Sequence, residues 1–92
     1  MIDIEEQYDE EALYEFSKAM SEKLEQKRGE GRGGWWNDDQ CGLGELLNLL
    51  HSHTAKLGTN YATMDKHQLV DIANLAMMVW YRVEHENDRQ AN

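Results

Sequence analysis

Apolar residues recur along the chain in three blocks with helical spacing, and the residues between them are those that start and stop helices. In the first block, roughly Asp9 to Lys27, Leu13, Phe16, Met20 and Leu24 follow one another at intervals of three, four and four. That spacing keeps side chains on one face of an α-helix. Asp9, Glu10 and Glu11 stand at its start and Lys23, Lys27 and Arg28 near its end, which complements the helix dipole at both places. Gly29 supplies a stop signal. The second block runs from about Gly42 to Leu57, with Leu43, Leu46, Leu47, Leu49 and Leu50 in a dense apolar band closed by Gly58. Either Asp38 or Asp39 stands where it can cap this helix.

The third block opens at Thr63, a candidate cap with Asp65 and Lys66 in the following turn, and between Leu69 and Val83 it is apolar on nearly every side. Such a helix lies at the centre of a bundle or is shared between subunits. There is no alternating strand pattern and no internal repeat. The expected fold is all-α: a single three-helix domain over residues 1–92, with a glycine- and tryptophan-rich loop between the first two helices and flexible ends at about 1–8 and 85–92. A chain of 92 residues is marginal for covering that much apolar surface alone, so a helix-packed homo-oligomer is expected, at least a dimer.

Charge narrows the functions. Eighteen acidic residues against nine basic give a formal charge of −9, which repels a phosphate backbone and argues against general nucleic-acid binding. No apolar run reaches membrane-spanning length and no charged-then-apolar leader is present, so no membrane role and a cytoplasmic location are expected, the host cytoplasm if the chain is phage-encoded. Cys41 is the one cysteine; without a Cys-x-x-Cys partner it reads as a small apolar residue packed near a helix start.

The chemistry concentrates in the loop and on the third helix. Gly29, Gly31, Gly33 and Gly34 surround Arg28 and Arg32 just before Trp35 and Trp36. The Gly-Lys-Ser/Thr ending of a P-loop is missing, yet two arginines beside bare glycine amides suit a phosphate or carboxylate. The tryptophans suit three roles: stacking on a base, inserting into a protein pocket, or folding back so that one anchors the loop and the other covers its edge. On the third helix Asp71 and Asn74 are three residues apart among apolar neighbours, so they share a face and need partners when buried. Asp71 is expected to pair with a basic residue or cap a neighbouring helix and Asn74 to bond across an interface, with a ligand role for both as the alternative. His67 lies one turn before Asp71, but two ligands do not close a metal site. His51 and His53 are two apart and point in different directions, which leaves at most one of them for a pocket wall.

The run Gly31, Arg32, Gly33, Gly34, Trp35, followed by Asp38, Asp39 and Cys41 and by Val70 to Met78, resembles a group of short, mostly uncharacterised bacteriophage and prophage proteins, over about two thirds of the chain. A second, weaker likeness is to the MazG-like all-α nucleoside triphosphate pyrophosphohydrolases. In that family a Glu-x-x-Glu helix faces a Glu-x-x-Asp helix, and the carboxylates hold magnesium on a triphosphate. The pattern would fall on Glu45-x-x-Asn48 and Gln68-x-x-Asp71, so two of the four carboxylates are amides, and amides are poor magnesium ligands.

The phage likeness, taken with the small size, the acidic surface, the expected oligomer and the tryptophan-bearing loop, leads to the expectation of a small acidic accessory protein that works by binding without turnover and needs no cofactor. It would inhibit a host protein, one of host defence among the candidates, or capture a nucleotide. Arg32, Trp35, Trp36, Asp38, Asp39, Asp71 and Asn74 are the expected binding residues. The alternative is a divergent magnesium-dependent pyrophosphohydrolase with Glu45 and Asp71 on the metal.

Overall fold

Helix α1 begins at Ile4 because the Asp3 carboxylate accepts the backbone N–H of Glu5 at 3.0 Å, and it runs to Gly29. The computed structural model describes the backbone of residues 3–90 and the side chains of residues 3–86. In it two more α-helices follow, α2 at Leu43–Leu57 and α3 at Lys66–Gln90, with a 3-10 turn at Tyr61–Thr63 between them. The fold is all-α with three helices, and no strand occurs among the described residues. Of the two ends expected to be flexible, Met1, Ile2, Ala91 and Asn92 lie outside the described residues, whereas 4–8 and 85–90 are helical.

The helix boundaries differ from the expected ones because other residues satisfy the free backbone groups. Gly31, not Gly29, stops α1: at φ 82° it lets its own N–H reach the carbonyl of Arg28 at 3.0 Å, while the N–H of Arg32 reaches Lys27 at 2.9 Å. This paired closure uses the left-handed conformation that glycine adopts without a Cβ penalty. Neither Asp38 nor Asp39 caps α2; Gly42 occupies that position with no side-chain bond, and both aspartates lie in the preceding turn. Asp65 replaces Thr63 as the cap of α3, accepting the N–H of His67 at 2.9 Å. Thr63 belongs to the 3-10 turn, where its hydroxyl donates to the carbonyl of Asn60 at 3.2 Å.

Helix α3 is the hub: α1 and α2 each pack on it and not on each other. Its apolar surface explains that position, since two amphipathic helices bury their stripes against different sides of it. Leu46 of α2 and Val70 of α3 are the buried apolar residues and Asn74 and Arg82 the buried polar ones among the described residues. Polar bonds fasten each pair. Asn74 Nδ2 donates to the carbonyl of Met20 at 3.2 Å, joining α1 to α3. Gln68 Nε2 donates to His53 Nδ1 at 2.6 Å and to the His53 carbonyl at 3.1 Å, joining α2 to α3.

Burial along α1 is uneven. Met20 and Leu24 are half-buried, while Leu13 and Phe16 of the same stripe stay exposed, and no side chain of α1 is fully buried. The stability of the fold therefore rests on few residues. Leu46→Ala is expected to lower the unfolding free energy by about 2–4 kcal/mol in urea denaturation, against less than about 1 kcal/mol for Leu47→Ala on the exposed side of α2.

Candidate functional site

The loop between α1 and α2 is shaped by one side chain of α3. Arg82, 2% exposed, donates from Nη1 to the carbonyls of Trp35 at 2.9 Å and Cys41 at 2.8 Å, and from Nη2 to Asp38 Oδ1 at 2.7 Å. A planar guanidinium with several donors in a fixed fork can satisfy three acceptors at once; a lysine ammonium lacks that geometry. The loop is thus bound at both ends of its 35–41 segment. Inside it, Asn37 accepts from Gln40 and Cys41 through its carbonyl and from Asp39 through its side chain. Gly34 has φ 79°, the left-handed backbone conformation that favours glycine; a Cβ there would also require the end of the exposed Gln40 side chain to shift.

The clasp orders the two tryptophans differently. Trp35 is half-buried, its ring edge-on to Tyr81 with centroids 5.4 Å apart, and Tyr81 in turn lies against His85 at 4.0 Å. Edge-to-face packing of this kind adds about 0.5–1.5 kcal/mol beyond the area it buries. Trp36 remains 52% exposed. One tryptophan therefore anchors the loop and the other is presented by it.

Beneath the loop is a cavity of about 360 Å³, within the range of small-molecule sites. Its apolar part comes from all three helices, with Leu24, Leu46, Leu49, Leu75 and Met78, and the loop adds Trp35 and Trp36. Three cations join them, Lys27, Arg28 and Arg32, against the single lining carboxylate of Asp71; Arg32 also faces the Glu30 carboxylate, its Nε 3.8 Å from Glu30 Oε2. The lining thus carries more cationic than anionic side chains on a chain of net charge −9. His53, Asp71 and Asn74 complete its polar lining. Asp71 lies 3.9 Å from Lys23 Nζ, too far for a hydrogen bond. Among the described residues the Oδ1 atoms of Asp71 and Asn74 are buried without a hydrogen-bond partner. Buried acceptors in that state cost about 1–3 kcal/mol each, a cost that an N–H or O–H donor entering the cavity relieves.

Five of the expected binding residues, Arg32, Trp35, Trp36, Asp71 and Asn74, line this one cavity, although they come from the loop and from α3. Asp38 and Asp39 do not line it; Asp38 pairs with Arg82, and Asp39 sits exposed in the turn. Glu45 is exposed on α2 and is not a lining residue. Its carboxylate acts instead on Cys41, whose thiol is pushed up from its ordinary pKa, first by burial and then by Glu45, with the Arg82 charge pulling the other way. His53 lines the cavity and His51 does not, while His67 is exposed. Arg82 is the functional residue that sequence reasoning passed over. The available signal was a lone cation inside the apolar stretch that ends at Val83.

Comparison of the chain with protein-family models, curated proteins and solved structures finds no match. The geometry itself makes the clasp testable. Arg82→Lys is expected to destabilise the protein by about 2–4 kcal/mol in chemical denaturation and to red-shift tryptophan emission as Trp35 leaves Tyr81. Arg82→Lys with unchanged emission and stability would show that the guanidinium does not organise the loop.

Proposed function

We propose that the protein acts by binding rather than by turnover, capturing a small nucleotide in the cavity beneath the tryptophan loop. The observation that carries this reading is the combination inside one cavity of aromatic walls, three cations and two buried acceptors without partners. Each matches one part of a nucleotide. Trp36, half exposed beside Trp35, offers a face for a base, and base–aromatic stacking contributes about 1–3 kcal/mol. Arg28, Arg32 and Lys27 suit the phosphate, arginine by paired N–H donors and lysine as a point charge. Asp71 Oδ1 and Asn74 Oδ1 accept hydrogen bonds and cannot donate them, so they favour a base edge that presents N–H groups. The likeness to phage and prophage proteins supports an accessory role for such capture in an infected host.

Magnesium-dependent hydrolysis, the activity of the MazG-like enzymes, has weaker support. Of the two carboxylates it would need first, Asp71 lines the cavity and Glu45 does not. Asp38, a possible replacement, is engaged by Arg82.

Three outcomes are expected. Titration with nucleoside monophosphates and triphosphates is expected to shift and quench the emission of the wild-type protein, with no response from a variant that keeps Trp80 alone. Arg32→Ala is expected to weaken binding by about tenfold or more, the effect of one charge-assisted bond. No response to any nucleotide, with the fold intact by circular dichroism, would remove this reading. Incubation with deoxynucleoside triphosphates and magnesium is expected to release no pyrophosphate; turnover that vanishes in a folded Asp71→Ala variant would establish the hydrolase instead.

A further inference from the structure

The folded chain exposes 7426 Å² of surface. A compact monomer of 10.7 kDa exposes about 5,500 Å² by the general scaling of surface with mass. The excess, on the order of 1,900 Å², exceeds the roughly 800 Å² that each partner contributes to a standard protein–protein interface. The radius of gyration agrees: 15.7 Å against about 12 Å for a compact domain of this length.

Apart from others such as Trp36, Leu47, Leu49, Tyr61 and Tyr81, exposed apolar side chains form stripes on two helices, α3 and α1. On α3 they are Leu69, Ala76, Trp80 and Val83, at intervals of seven, four and three, so they form one continuous stripe. Trp80 is 65% exposed and Val83 50%. The sides of α3 already used carry Val70, Asn74 and Arg82, which face the other elements of the same chain. On α1 the stripe that packs through Met20 and Leu24 continues outward to Phe16 and Leu13, where Leu13 is 70% exposed. Among the described residues of one chain nothing covers either face.

We infer that a second copy of this chain covers them, the α3 stripes of two protomers forming the centre of a two-fold helical interface flanked by the outer halves of their α1 helices. The size and character of the surface favour a second copy over an unrelated partner. The excess area is of the magnitude that permanent homodimers bury, and such interfaces resemble a domain core cut in half. A domain with Leu46 and Val70 as its buried apolar centre lacks that second half of a core. A two-fold pairing also covers both copies of each stripe at once, because an isologous interface uses the same patch on each partner. The cavity lining includes none of Leu13, Phe16, Trp80 and Val83, so the pairing stands independently of the nucleotide reading.

Sedimentation velocity and light scattering of the full chain across micromolar concentrations test this. The expected mass is about 21 kDa, two copies of the 10.7 kDa chain. Trp80→Glu, and separately Leu13→Glu, are expected to lower it to that of one chain at the lowest concentrations, with helical content retained. Tyr61→Glu, at a residue 89% exposed on the 3-10 turn, is expected to leave the dimer intact. A single-chain mass for the wild type throughout, or a dimer that both Trp80→Glu and Leu13→Glu leave unchanged, would overturn the assignment.

Discussion

The arrangement of the loop depends on one buried guanidinium. Arg82 extends from α3 to the carbonyls of Trp35 and Cys41 and to the Asp38 carboxylate, so it joins the two ends of a segment that Gly33, Gly34 and Gly42 flank. Ordering such a segment costs backbone entropy of about 1–2 kcal/mol per residue. Charge-assisted bonds in a desolvated position are strong enough to offset much of that cost. The Asp38 carboxylate neutralises the guanidinium and the two carbonyls satisfy Nη1, while Nε has no partner among the described residues; a charge at 2% exposure could not be buried without such acceptors. Loop and arginine therefore stabilise each other, and removing either leaves the other unsatisfied. The position of Cys41, the edge contact of Trp35 with Tyr81 and the exposure of Trp36 all follow from this closure.

A local reversal of charge accompanies it. At long range the acidic surface repels anions, yet three of the nine basic residues, Lys27, Arg28 and Arg32, gather at one cavity. Screening limits the repulsion to about 8 Å at physiological salt, so an anion that reaches the cavity meets mainly its cations. Affinity for such an anion would then arise from close contacts with the cavity cations, with little contribution from long-range attraction. Selectivity would reside in the aromatic wall and the two free acceptors, which lie on the α3 side of the same space.

The helices also explain why so little of the chain is buried. Helix α3 uses its inner sides to organise α1, α2 and the loop, and still presents Leu69, Ala76, Trp80 and Val83 outward. A single helix with several apolar sides needs more neighbours than α1 and α2 provide. In a chain of this size, stability is consequently coupled to whatever occupies the remaining faces, because any species that binds only the folded state adds its binding free energy to folding.

The periodicity of apolar positions was enough to read three helices, their order and the central place of the third, because those features depend on side-chain spacing along the chain. The caps were harder to read. Asp65 displaced Thr63, and Gly31 displaced Gly29, since several neighbouring residues could satisfy the same backbone groups and only the path of the chain selected among them. Arg32, Trp35, Trp36, Asp71 and Asn74 could be singled out individually as polar or aromatic residues in unusual surroundings. That they line one cavity, and that Asp38 turns away from it to pair with Arg82, was decided only in three dimensions. The physical reason is distance along the chain: Asp38 and Arg82 are 44 residues apart, and local pattern carries no record of which remote carbonyls a buried cation will find.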